Sequence, residues 1–331
     1  MAIYLGYNTA RRILESKLAL ELEPMPRHSM MNCETGKRAV TSTLRDAFKT
    51  KPVQPLSRNF FCRLGEPLDL MTDNRMARHS WEGGNVHLVA DKMPGGSFMQ
   101  LKPGVFVASP ALCLVQLAPS LSLFETIQLA MSFCGIYQLE GDEERYPYER
   151  LPMTTPQEIE DYLSVLNKAH GVASVREAMP WVIPNSGSPM ETKMVLSMYL
   201  PKYLGGYGLP MPEMNAKVRL SPEMRKLLGQ AYCFGDAVWF ADGFDPFDME
   251  YQSYEHHLSA EKYGADMARQ LAIQHEGYTV QFVTKCQLDK HDELNELARL
   301  VAEHTGTALL SGAFEWSKER IRQHEALMAT F

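Results

Sequence analysis

Two α/β units are what the sequence predicts, and three observations predict them. The chain has 331 residues, the length of about two ordinary domains. Short runs rich in β-branched and aromatic residues alternate with Leu-rich helical stretches in both halves. An acidic, Pro-containing stretch, LEGDEERYPYERLPMTTP, spans 139–156 and reads as a linker. The expected boundaries are therefore a mixed α/β unit at 1–138, a linker and helical connector at 139–186, a second α/β unit at 187–306, and a C-terminal helix at 307–331.

The elements follow in order. In 2–19, Asn8 or Thr9 caps a short helix with Ala10, Ile13 and Leu14 on one side, either a packing helix or half of a DNA-binding helical motif. A second helix is expected at 42–48. Strands are expected in PLSRNFFCRL, GGNVHLVAD and GGSFMQLKPGVFVAS, with Lys102-Pro103-Gly104 as a hairpin turn. Ser109-Pro110 starts a helix by cap and first-turn proline, and a second apolar helix, LSLFETIQLAMSFCGIY, follows. Thr155-Pro156 starts another helix that Gly171 stops. Ser188-Pro189 starts METKMVLSMYLPKYL. A strand near 215–220, a loop at 221–229, a strand holding Asp236, a strand holding Glu250 and Gln252, a helix at 259–276 and a strand at 278–284 complete the second unit. Asp289 then caps a last core helix that ends near Gly306.

Composition narrows the function. Hydrophobic residues make up 45% of the chain, enough for a core, and no apolar run of about 18 residues suggests a membrane span. Charged residues stand where a signal peptide needs its apolar run, so no export is expected. Six scattered cysteines with no CxxC point to reduced thiols in a cytoplasm and against structural zinc. The net charge is −7: residues 1–150 carry 17 Lys and Arg against 16 Asp and Glu, and residues 151–331 carry 16 against 24. That acidity argues against a large non-specific DNA footprint but leaves room for a nuclease, whose metal site is itself acidic. A metabolic enzyme lacks support: there is no Gly-rich phosphate loop and no GxSxG.

The chemistry-bearing residues lie in the second half. Asp236 sits on an apolar strand, and Glu250 and Gln252 lie two apart on the next, hence on one face. A carboxylate facing a Glu-x-polar pair on a neighbouring strand is a way to hold a divalent metal against a phosphodiester. Glu191, in the first turn of its helix, is a further acid or simply part of a capping box with Ser188. Asp242, Asp245 and Asp248 read as a solvated turn or as alternative ligands. His256 is either a phosphate contact and proton carrier or a structural histidine. Asp266 and Arg269, three apart on one helix face, form a structural ion pair or touch phosphate. Trp239 and Tyr251 read as core or rim aromatics.

Two resemblances add to this reading. VFVASPALCLVQLAP is similar to the segment closing a domain of abortive-infection AbiE-type antitoxins, where a strand leads through a Ser-Pro turn into a Leu-rich helix. SPMET (Ser188–Thr192), GLP (Gly208–Pro210), Asp236, Glu250-Tyr251, His256, Asp266, Arg269, Gly277-Tyr278, Val280 and Thr284 come in one order over the second unit. That set resembles the bacterial endonuclease-like family related to very-short-patch repair endonucleases, within the restriction-endonuclease-like PD-(D/E)xK fold. The resemblance implies a four-stranded mixed sheet flanked by helices and Mg²⁺- or Mn²⁺-dependent cleavage of nucleic acid, DNA foremost, in bacterial defence or repair. It assigns Asp236, Glu250 and Glu191 to the metal, with Gln252 and His256 assisting. One departure stands out: the family's EYDG is EYQS here, so Gln252 replaces an acid. The alternative is therefore a catalytically weakened nuclease fold that binds DNA or protein as an antitoxin-type regulator.

Overall fold

The computed structural model describes residues 2–25, 27, 30, 33–47, 67–89, 93–137, 151–166, 169–252 and 260–330. The expected strand at 55–64, most of the linker, and His256 lie outside the described residues. The chain forms two compact units, one of Met1–Phe133, Gln138–Tyr148 and Pro152–Pro180, the other of Cys134–Tyr137, Glu149–Leu151 and Trp181–Phe331. The helices expected in a connector thus fall within the first unit. Among the described residues no helix is long and apolar enough to cross a membrane.

The first unit is built on a sheet of order β2-β5-β6-β1-β3-β4. Its strands are β1 (Ile3–Leu5), β2 (Glu23–Pro24), β3 (Leu68–Thr72), β4 (Gly84–Leu88), β5 (Phe98–Lys102) and β6 (Val105–Ala108). Strand β1 is not among the expected elements, yet all three of its residues are buried, and it pairs in parallel with β6 and antiparallel with β3. Tyr4 stacks on Phe106 at 5.0–5.1 Å from its two ring neighbours, Phe98 being the other. The β5–β6 hairpin turns where Gly104 takes φ 79°, a conformation that favours glycine. Helices α1 (Tyr7–Leu14), α2 (Lys37–Ala47), α3 (Pro110–Leu117), α4 (Leu123–Phe133), α5 (Pro156–Leu166) and α6 (Val172–Ala178) complete the unit.

Capping signals mostly hold. Ser109 caps α3, and Thr155 forms a capping box with Glu158 at the start of α5. At α1 the cap is Gly6 without a side-chain bond; Thr9 instead accepts the Asp69 N–H at 2.8 Å. Ala10, Ile13 and Leu14 are fully buried, so the apolar face of α1 serves packing.

The second unit runs α7 (Pro189–Tyr199), β7 (Glu213–Arg219), α8 (Pro222–Leu228), β8 (Tyr232–Trp239), β9 (Phe247–Gln252), α9 (Ala260–His275), β10 (Thr279–Thr284), α10 (Lys285–Leu288), α11 (His291–Thr305) and α12 (Lys318–Ala329). Its sheet has the order β10-β9-β8-β7, with β7–β8 and β8–β9 antiparallel and β9–β10 parallel. A parallel pair needs a crossover, and α9 supplies it. The expected four-stranded mixed sheet flanked by helices is present. Ala272 and Ile273 of α9 pack on Val218, Leu220 and Cys233, while α7 and α11 lie against β8 and β9. Two details differ. The expected loop at 221–229 is helix α8, started by Ser221-Pro222 with the signature that starts α3 and α7. The cap of α11 is Lys290 rather than Asp289, which closes the turn before it and pairs with Lys285.

Candidate functional site

The site begins at the N-terminus of α7. Ser188 Oγ accepts the Glu191 N–H at 3.1 Å. Glu191 Oε2 turns back to accept the Gly187 N–H at 2.8 Å and Asn215 Nδ2 at 3.3 Å. The capping role expected for Glu191 is therefore realised, shifted by one residue from the usual box. Burial, and then the charge of Asp236, push its carboxyl up to about 8. Glu191 and Asp236 are thus near enough to feel each other.

Asp236 and Glu250 interlock where β8 and β9 cease to pair. The ladder covers Ala237↔Met249, Val238↔Asp248 and Trp239↔Phe247. Beyond it, carboxylates take the amides: Tyr251 N–H donates to Asp236 Oδ2 at 2.9 Å, and Asp236 N–H donates to Glu250 Oε1 at 3.4 Å. Side-chain acceptors thereby satisfy backbone donors that the ladder leaves over. Glu250 is 4% exposed, and its Oε2 receives Arg269 Nη2 at 2.7 Å. The second Arg269 nitrogen donates to the Phe234 carbonyl at 3.1 Å. Burial raises the Glu250 pKa; Arg269 opposes this, and Asp248 adds to it.

Asp248 is the residue that sequence reasoning misplaced. It lies not in a turn but within β9, with no exposed surface. Both its carboxyl oxygens are sealed from water, with only weak contacts to the Glu250 carboxyl and the Ala237 backbone. Burial and the charge of Asp236 raise its pKa to about 7. A Cβ placed on Gly235 would lie 2.6 Å from Asp248 Oδ2, so glycine is required on β8 for this carboxyl to fit. The signal was available: Asp248, Glu250 and Gln252 follow one another at strand spacing.

The other expected residues separate. Gln252 ends β9, opposite Thr284 and partly exposed. Asp242 and Asp245 are exposed, as a solvated turn requires. Trp239 is buried, with its Nε1–H donated to the Pro210 carbonyl at 2.7 Å. The Asp266 side chain, like His256, lies outside the described residues. Among the described residues no three His, Cys, Asp or Glu side chains stand ready to hold a metal.

A second polar cluster, in the first unit, left no sequence signal. Asp69 Oδ1 meets His87 Nε2 at 2.9 Å and Asn85 Nδ2 at 3.4 Å, and Tyr7, at φ 48°, stacks on His87 at 3.9 Å. The parallel pairing of β3 with β4 assembles it.

The chain was compared with protein-family models, curated proteins and solved structures, and none of the three yields a match.

Proposed function

We propose that the second unit is a divalent-cation-dependent endonuclease of the restriction-like fold, acting on nucleic acid, DNA foremost, in the cytoplasm in bacterial defence or repair. The observation that carries this reading is Asp236 interlocked with Glu250 where β8 and β9 cease to pair, with the fully buried carboxyl of Asp248 beside them. The order helix, strand, helix, two strands, helix, strand, with two antiparallel pairings and one parallel, supports the fold assignment.

The donor set suits a hard cation, because carboxylate oxygens are what Mg²⁺ and Mn²⁺ take. A carboxyl sealed from water beside two other acids is a group that a cation would satisfy. A bound ion of this kind polarises a phosphoryl oxygen and lowers the pKa of a water. Asp236 and Glu250 would hold it, with Glu191 directly or through water, and the Arg269 guanidinium beside Glu250 would then be placed for a phosphate oxygen. Gln252 would orient the water or the phosphate, and His256 would carry a proton.

The test is Mg²⁺- or Mn²⁺-dependent cleavage of DNA by the full chain, lost in Asp236→Ala. A second reading, a binding protein that keeps the fold without cleaving, is favoured by the Arg269–Glu250 pair and by Gln252 in place of an acid. DNA binding with no cleavage under either metal would select it.

A further inference from the structure

Among the described residues, the sheet face leading up to Asp236 leaves two large rings exposed. Residues alternate along β7 and β8, so Lys217 and Arg219 share a face with their cross-strand partners Phe234 and Tyr232. Tyr232 and Phe234 are 40% and 42% exposed. Lys217 and Arg219 are exposed as well, while Met214, Ala216 and Val218 of the same strand are buried. Lys217 Nζ stands 3.6 Å from the centre of the Tyr232 ring. The alternation breaks at the next step, where Asn215 takes φ 48° and forms no ladder pair with Asp236; its side chain bonds Glu191 instead. At the same point Arg269 ties the Phe234 backbone to Glu250.

We infer that this face is a docking track for single-stranded or locally unpaired nucleic acid, ending beside Asp236. The inference rests on the endonuclease reading for its substrate class and adds the strand state. Two exposed rings with cations between them pair a surface for base faces with partners for phosphates. A duplex keeps its base faces stacked inward, so only unpaired nucleotides offer them to Tyr232 and Phe234. The two side chains lie about 6.8 Å apart along the strand, about twice the 3.4 Å base rise of a stacked strand, which suits an extended strand. The charge fits too. The chain is net acidic, so a polyanion is held by this local track and not by a long-range field.

The experiment is fluorescence anisotropy of the full chain with one short labelled oligonucleotide, as a single strand and as its duplex, in EDTA so that nothing is cut. The single strand is expected to bind more tightly. Tyr232→Ala and Phe234→Ala should each weaken it roughly 5- to 100-fold, while Tyr232→Phe retains it. With two phosphate contacts the slope of log K against log salt should be about −1.4, falling in size by about 0.7 on Lys217→Ala. Thermal melts of the variants control for folding, since both rings are exposed. Duplex binding as tight as single-strand binding, no binding to either, or unchanged affinity in both ring variants overturns the inference. Single-strand binding with no cleavage on adding Mg²⁺ or Mn²⁺ sinks the nuclease reading alone. Duplex cleavage at full rate by a variant lacking both rings sinks the docking track alone.

Discussion

A single methyl group at Gly235 tests how tightly the acids are packed. Gly235→Ala puts a Cβ against the Asp248 carboxyl and should destabilise by roughly 1–3 kcal/mol in urea unfolding. Adding Asp248→Ala should return much of that loss, a coupling that a double-mutant cycle measures. Asp248 itself separates structure from function. As a carboxyl sealed from water it weakens the fold, so Asp248→Val should be neutral or stabilising by up to about 2 kcal/mol without metal. If Asp248 serves the cation, the same variant should lose the rise in Tm that Mn²⁺ causes in the parent chain. An undiminished rise would remove Asp248 from the site. Arg269→Gln leaves the buried Glu250 without its cation and should destabilise by roughly 1–3 kcal/mol, between the surface and fully buried limits.

At the scale of elements, helix α12 is held by groups that titrate. Arg320 donates to the carbonyls of Ala313, Glu315 and Gly206 and lies between the rings of Tyr207 and Trp316. His324 is 3% exposed, and its Nε2–H meets the Leu288 carbonyl at 3.1 Å. Burial holds the His324 pKa below its usual 6.5, and His291 and Arg320 add to this, while the Leu288 carbonyl and Asp289 oppose it. The unfolded chain therefore binds a proton below about pH 6.5 that the folded chain refuses, so stability falls as pH falls through that range. The slope from this one group is at most about 1.4 kcal/mol per pH unit. Thermal melts from pH 7.5 to 5 (about the range that His titration spans) should show the fall, and His324→Gln should flatten it. An equal fall in the variant would place its origin elsewhere. Helix α7 offers a simpler check: Ser188→Ala removes its cap and should cost about 0.5–2 kcal/mol.

Across the whole molecule, the described cysteines Cys33, Cys113, Cys134, Cys233 and Cys286 are free thiols. Cys286 is exposed, whereas burial raises the Cys33 and Cys233 thiols to about 11 and puts Cys113 higher still. Thiol titration of the native chain should label Cys286 first and reach Cys113 only on unfolding. Mass spectrometry of the labelled peptides reads the order.

Local signals settled much of this protein from its sequence. Ser-Pro pairs start α3 and α7 because a hydroxyl cap and a first-turn proline act within four residues of each other. Asp236 and Glu250 were legible because strand alternation assigns faces without reference to partners. The four strands of the second unit were readable for the same reason, whereas helix α8 was expected as a loop. Tertiary structure decided what depends on distant segments. The burial of β1 follows from the strands on either side of it. The parallel pairing of β3 with β4 brought Asp69 to His87, and the crossover through α9 carried Arg269 onto Glu250. Asp248 looked like one more acid in a turn; only the register of β9 against β8 shows that it is sealed from water. Propensity and capping act through neighbours in sequence, whereas burial and charge pairing act through neighbours in space.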